Sequence, residues 1–217
     1  MSLLLPLRAA GGAASAAYLA GKRLWPKKKV KHKKGAFVED EETRTAVHEA
    51  GHALVAWRAT RVHTVTAAWL HKTGGNVGYQ VRAVDGKYET ELIIRLAGIA
   101  AEIMVFGNTR SLPSRSDLSY ARAALDDVDE KWLDEPEGKV PTFFSKAYEP
   151  ALSETEERKL QRAYLMARKV LDKHSASHSH MVCHLLSCKR LETKNLDAIF
   201  GSRAFMFVLS EGKRLFL

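Results

Sequence analysis

The chain has 217 residues, of which 46% are apolar, 8% aromatic and 27% charged. That is enough for one folded domain with its own core, and it excludes a disordered tail or a fibrous repeat. Two cysteines, Cys183 and Cys188, exclude a disulfide scaffold and suit a reducing compartment.

The net charge of +9 invites a nucleic-acid reading, but its distribution argues against one. Residues 1–38 hold nine basic residues and no acid, whereas 25 basic residues face 25 acids from Glu39 onward. The body is formally neutral, with no recognition motif for DNA or RNA. The expected organisation is a basic leader over 1–38, a folded domain over 39–200 and a C-terminal tail over 201–217. The leader opens with LLLPLRAAGGAASAAYLAG and continues with KRLWPKKKVKHKK. Its apolar run is long enough to cross a bilayer, with the positive charge following it. Three readings stay open: a membrane anchor, a mitochondrial or plastid transit peptide, and a basic tail.

The body begins with an acidic turn, Glu39 to Glu42, and Thr43 is the expected cap of a helix running to about Ala59. Residues 61–88 are rich in Val, Thr and Tyr, with Gly74-Gly75-Asn76 as a turn. They read as a hairpin or a small three-stranded sheet. Residues 89–106 return to a helical period through Leu92, Ile93, Leu96, Ala97, Ala100, Met104 and Val105. Ser114 or Ser116 is expected to cap a helix from Asp117 to about Trp132. Residues 133–152 read as loop. Ser153 and Glu156 form a capping box for a helix to about His174. Helices over 177–188 and 194–200 follow. The apolar end, FMFVLSEGKRLFL, has no clear placement. The fold class is mainly α, with a small β element after the first helix.

That first helix contains His48-Glu49-Ala50-Gly51-His52, an H-E-x-x-H motif. Histidines at i and i+4 share one helix face, so both imidazoles can bind one Zn²⁺. Glu49 points beside them and reaches water without ligating. Zinc brings the pKa of a bound water to about 7, and Glu49 then serves as general base. A catalytic zinc needs a third protein ligand. The metzincin pattern requires Gly at 55 and His at 58; Val55 and Arg58 exclude it. Glu89, Glu91, Glu102 and Asp117 remain, and spacing does not choose among them. A second group, His174, His178, His180, Cys183, His184 and Cys188, has some i, i+4 spacings but reads best as a solvated helix face.

TAVHEAGHALVAW resembles the zinc helix of the FtsH peptidase family of membrane zinc proteases. The resemblance continues in order through VHTVTAAW and GGNVGYQ, LAGIAAEIMVFGN, SRSDLSYAR and LSETEERKLQRAYLMARKVLDKH, covering about residues 40–200. It implies the helical fold of that peptidase, with His48, His52 and Asp117 as zinc ligands and Glu49 as general base. It implies an orienting role for Glu102, and a substrate-pairing strand at Gly78-Tyr79. It also implies a polypeptide substrate, and either a homo-oligomer or a place in a larger membrane or organellar complex. The family's ATPase module is expected to be missing, since no G-x-x-x-x-G-K-[ST] occurs, so no ATP binding by this chain is expected. The expected function is a zinc metallopeptidase. The alternative is a non-proteolytic accessory subunit that keeps the fold.

Overall fold

The computed structural model describes residues 37–58, 63–72, 74–81, 87–109, 113–128, 132 and 152–200. The chain divides into two compact units, 1–30 and 31–217, and all described residues lie in the second. The basic leader up to residue 36, the expected loop over 133–151 and the C-terminal tail lie outside the described residues. No helix among the described residues is long and apolar enough to cross a membrane.

Helix α1 spans Glu41–Arg58 and is buried from Thr43 to Trp57. Asp40, not Thr43, caps it: Asp40 Oδ1 accepts the Thr43 N–H at 2.7 Å. The helix therefore starts three residues earlier than expected, and Glu41 and Glu42 occupy its electropositive first turn. Its small residues let neighbours approach. A Cβ on Gly51 would lie 2.7 Å from the Ala97 carbonyl oxygen and 2.8 Å from Ala101 Cβ, so this glycine makes room for α2 (Lys87–Phe106).

Strands β1 (His63–His71) and β2 (Gly74–Val81) form the expected hairpin, with a bulge between Val65 and Ala67. Gly74, Gly75 and Asn76 lie within β2, pairing with His71, Leu70 and Trp69, and the expected turn at these residues is corrected accordingly. The third strand, β3 (Arg190–Glu192), comes from the far end of the domain and pairs with Ala67, Ala68 and Trp69. The antiparallel order is β2-β1-β3, which leaves β2 at an edge.

Helix α2 is buried on more than one stripe. Ile94, Ile99 and Ala101 join the expected Leu92, Leu96 and Ala97, because α1 and α4 (Glu154–Lys173) pack on different sides of it. Helix α3 spans Pro113–Ala123, so the expected limits of 117 and 132 are both too late, and Ser114 and Ser116 are interior rather than caps. Pro113 occupies the first helical position, where proline's missing N–H costs nothing. Beyond α3 the chain turns, and the buried Lys159 of α4 donates to the Leu125 carbonyl there at 2.9 Å.

The capping box of α4 forms as expected: Ser153 Oγ accepts the Glu156 N–H, and Glu156 Oε2 accepts the Ser153 N–H at 2.6 Å. Helices α5 (Ser175–Cys188) and α6 (Thr193–Phe200) start slightly earlier than expected. Lys189, in the left-handed region at φ 57°, ends α5 and turns the chain into β3. The core joins Leu54 and Trp57 of α1 to Leu92 and Leu96 of α2, Leu160 and Leu171 of α4, and Met181 and Leu185 of α5.

Leu54 is fully buried and Ser153 is exposed. Leu54→Ala is expected to cost about 3 kcal/mol through the cavity it leaves, and Ser153→Ala about 1 kcal/mol through the lost cap. Urea unfolding of both variants measures this. Equal costs would contradict the packing described.

Candidate metal centre

The i, i+4 spacing on α1 places His48 and His52 one turn apart, with ring centroids 4.6 Å from each other. Asp117, in α3, reaches both. Its Oδ2 lies 2.6 Å from His48 Nε2 and 2.9 Å from His52 Nε2, and the two Nε2 atoms are 2.9 Å apart. Among the described residues, these three make the one group of three or more His, Cys, Asp or Glu donors that converge.

The other three candidate acids sit elsewhere. Glu102 lies behind His48, with Oε1 2.7 Å from Nδ1. Glu91 accepts from Arg95 within the same helix at 3.3 Å. Glu89 stands in the first turn of α2, outside the converging group.

Second partners fix the tautomers. His52 Nδ1 faces the Ile94 carbonyl oxygen at 2.6 Å, which can only accept, so Nδ1 carries the proton. His48 Nδ1 likewise donates to the Glu102 carboxylate. While both rings are neutral, their Nε2 atoms therefore offer lone pairs to each other and to a carboxylate oxygen. Three electron-rich atoms this close repel unless a proton or a metal cation lies among them. The surrounding charge has the same sign. Among the described residues, with both imidazoles neutral, the buried carboxylates of Glu49, Glu102 and Asp117 face one buried guanidinium, Arg44. A dication fits this deficit, and two imidazoles with one carboxylate are a donor set that zinc accepts.

Titration shifts reflect the same crowding. Burial alone would lower the His48 pKa, but hydrogen bonds to Asp117 and Glu102 raise it to about 10. Burial would raise that of Asp117, but the charge of His52 and the hydrogen bonds from both histidines hold it well below the usual carboxylate range. Glu49 is pushed up by burial, against the pull of His48 and His52.

Several glycines shape the site. A Cβ on Gly98 of α2 would lie 2.5 Å from His48 Nε2, so that glycine seats the ring. A Cβ on Gly75 of β2 would lie 2.9 Å from Glu49 Oε1, so the edge strand passes directly over this carboxylate. Gly78 pairs with Ala67 and leaves space for Thr66, whose Oγ1 donates to the Gly78 carbonyl at 2.9 Å. Tyr79 is half-buried, opposite Val65, with Arg95 6.0 Å from its ring centroid.

Arg44 carries no sequence motif and Gly98 lies within the LAGIAAE segment, whereas Gly75 reads from the sequence as a turn residue and His178 as part of a solvated helix face. His178 is fully buried and its Nε2 donates to the Val47 carbonyl at 3.0 Å, so it braces α1 from behind. This corrects the solvated reading of its helix. Cys183 and Cys188 are exposed free thiols. His174 is half-buried, its pKa lowered to about 4 by burial and by the charges of Arg58 and Lys173.

No protein-family model matches the chain. Among curated proteins it is similar to the ATP-dependent zinc metalloprotease FtsH of Neorickettsia risticii (strain Illinois), with 23% identity over 198 residues. The match covers 82% of this chain and 31% of that protein, so the chain spans about a third of the relative's length.

The pKa shifts carry a sign. The His48 value is raised on folding, so its stabilisation is complete below about pH 6.5 and is lost as pH rises toward 10. The Asp117 value is depressed, so its stabilisation is complete above about pH 4 and is lost in acid. In chelator, the chain is expected to be most stable between these limits, and Asp117→Asn to flatten the alkaline limb. Urea unfolding at pH 5, 7 and 10 tests this; a variant as pH-dependent as the wild type would contradict it.

Proposed function

We propose that residues 39–200 form a zinc-dependent peptidase domain, related to FtsH metalloproteases, that hydrolyses peptide bonds in extended polypeptides. The reading is carried by one observation: two Nε2 lone pairs and the Asp117 Oδ2 converge within a buried excess of negative charge. The similarity to a protein named as a zinc metalloprotease points the same way.

In this proposal His48, His52 and Asp117 hold the ion. Bound zinc supplies Lewis acidity to the site. Glu49 takes a proton from water and returns it to the leaving amine. Its upward shift through burial brings it nearer neutral pH, where a group that both accepts and releases a proton works best. Glu102 keeps the His48 tautomer that leaves Nε2 unprotonated. Strand β2 is an edge, and its Gly75 lies against Glu49. An extended polypeptide added along β2, past Gly78 and Tyr79, would bring its backbone close to this carboxylate. Hydrolysis of short or unfolded chains without ATP bound to these 217 residues is part of the proposal.

One feature favours the accessory reading instead. Glu49 is only 3% exposed, and β2 covers it. A domain that keeps its zinc but admits no substrate would look the same.

Glu49→Gln decides between them. The variant is expected to keep zinc and to lose casein cleavage by a factor of about 100 or more. Zinc-loaded wild type that cleaves no unfolded substrate would support the accessory reading. Cleavage unchanged in Glu49→Gln would overturn the assigned base.

A further inference from the structure

Arg44 stands one turn before His48 on α1 and is 4% exposed. A buried guanidinium needs acceptors for its N–H groups. Nη1 donates to Glu102 Oε2 at 3.4 Å. Nη2 donates to Asn108 Oδ1 at 2.7 Å and also to the Glu39 carboxylate. The Phe106 ring lies against the guanidinium, 4.5 Å from its centroid. One planar group thus gathers the start of α1, the inner carboxylate of α2 and the residues just past the end of α2.

Two of these contacts lead to the converging donors. Glu102 presents one oxygen to Arg44 and the other to His48 Nδ1, 2.7 Å away. Thr109 Oγ1 also donates to the Arg44-facing oxygen, at 3.3 Å. Asn108 and Thr109 begin the segment that leads from α2 to α3, the helix that carries Asp117. If Glu102 rotated, the His48 ring would lose its anchor. If the segment after α2 moved, Asp117 would lose its position against the ring.

We infer that Arg44 is a positioning residue for the metal centre, clamping Glu102 and the Asn108–Thr109 segment so that His48 and Asp117 present their donor atoms to one point. The inference rests on the proposed reading of His48, His52 and Asp117 as zinc ligands. The geometry requires arginine specifically. A lysine would keep the charge but has neither a planar fork for two acceptors nor a flat face for Phe106.

The test is zinc affinity of the full chain, measured by competition with a chromophoric chelator, together with the visible spectrum of the cobalt(II)-substituted protein. Arg44→Gln and Arg44→Lys are each expected to weaken zinc binding about 10- to 100-fold and to alter the cobalt spectrum. In a Glu102→Gln background, Arg44→Gln is expected to add little further loss, because both act on one network. Wild-type affinity in Arg44→Gln, full rescue by Arg44→Lys, or fully additive losses would each overturn the inference while leaving the zinc site standing. A wild-type chain that binds no zinc would overturn the site reading and this inference with it. Should the Arg44 variants fail to fold, Asn108→Ala carries the test. It releases one arm of the fork without removing charge. A several-fold loss of affinity with native circular dichroism supports the clamp, and unchanged affinity overturns it.

Discussion

Burying His48, Glu49 and His52 on the innermost helix costs free energy unless their polar atoms meet partners, and the rest of the domain is arranged around that requirement. Helix α2 supplies the Glu102 carboxylate to one imidazole and the Ile94 carbonyl to the other. Helix α3 supplies Asp117, and Gly98 gives up a side chain so that the His48 ring can lie against the α2 backbone. Helix α5 contributes His178, which holds the Val47 carbonyl. Such a polar interior specifies one arrangement, because a half-satisfied network is worse than an apolar one.

The polar network also explains why the interior favours a cation. Lone pairs on two imidazoles converge with a carboxylate oxygen, and the charges around them sum to an excess of negative charge. Without a metal, a proton on His48 relieves this, which is why its pKa rises to about 10. With a metal, that proton must leave, so binding and pH are linked. The same logic gives the edge strand its place. Gly75 allows β2 to run across Glu49, so the strand best placed to pair with a peptide also covers the group proposed as base.

Much of this was legible from the sequence where the signal is local. The i, i+4 histidines, the Val-rich hairpin and the Ser153–Glu156 box each declare themselves within a few residues. What escaped depends on partners far along the chain. Gly74-Gly75 reads as a turn, yet Gly75 is small because Glu49 lies against it. Arg190–Glu192 is too short to show a period, and becomes a strand only because β1 offers an edge. Four acids were equal by spacing; the path of α3 brings Asp117 to both Nε2 atoms and leaves Glu102 on the opposite side of the ring. Pro113 marks the start of α3, but Ser114 and Ser116 after it each look like a cap from the sequence alone. Arg44 carried no motif, since its role comes from Glu102, Phe106 and Asn108, all more than 55 positions away.

X-ray absorption at the zinc edge, on purified wild-type chain and on Asp117→Ala, tests whether His48, His52 and Asp117 form one zinc site. One zinc per wild-type chain with only nitrogen and oxygen neighbours is expected, and its loss in the variant. No bound zinc, sulfur neighbours from Cys183 or Cys188, or full retention in Asp117→Ala would contradict that site.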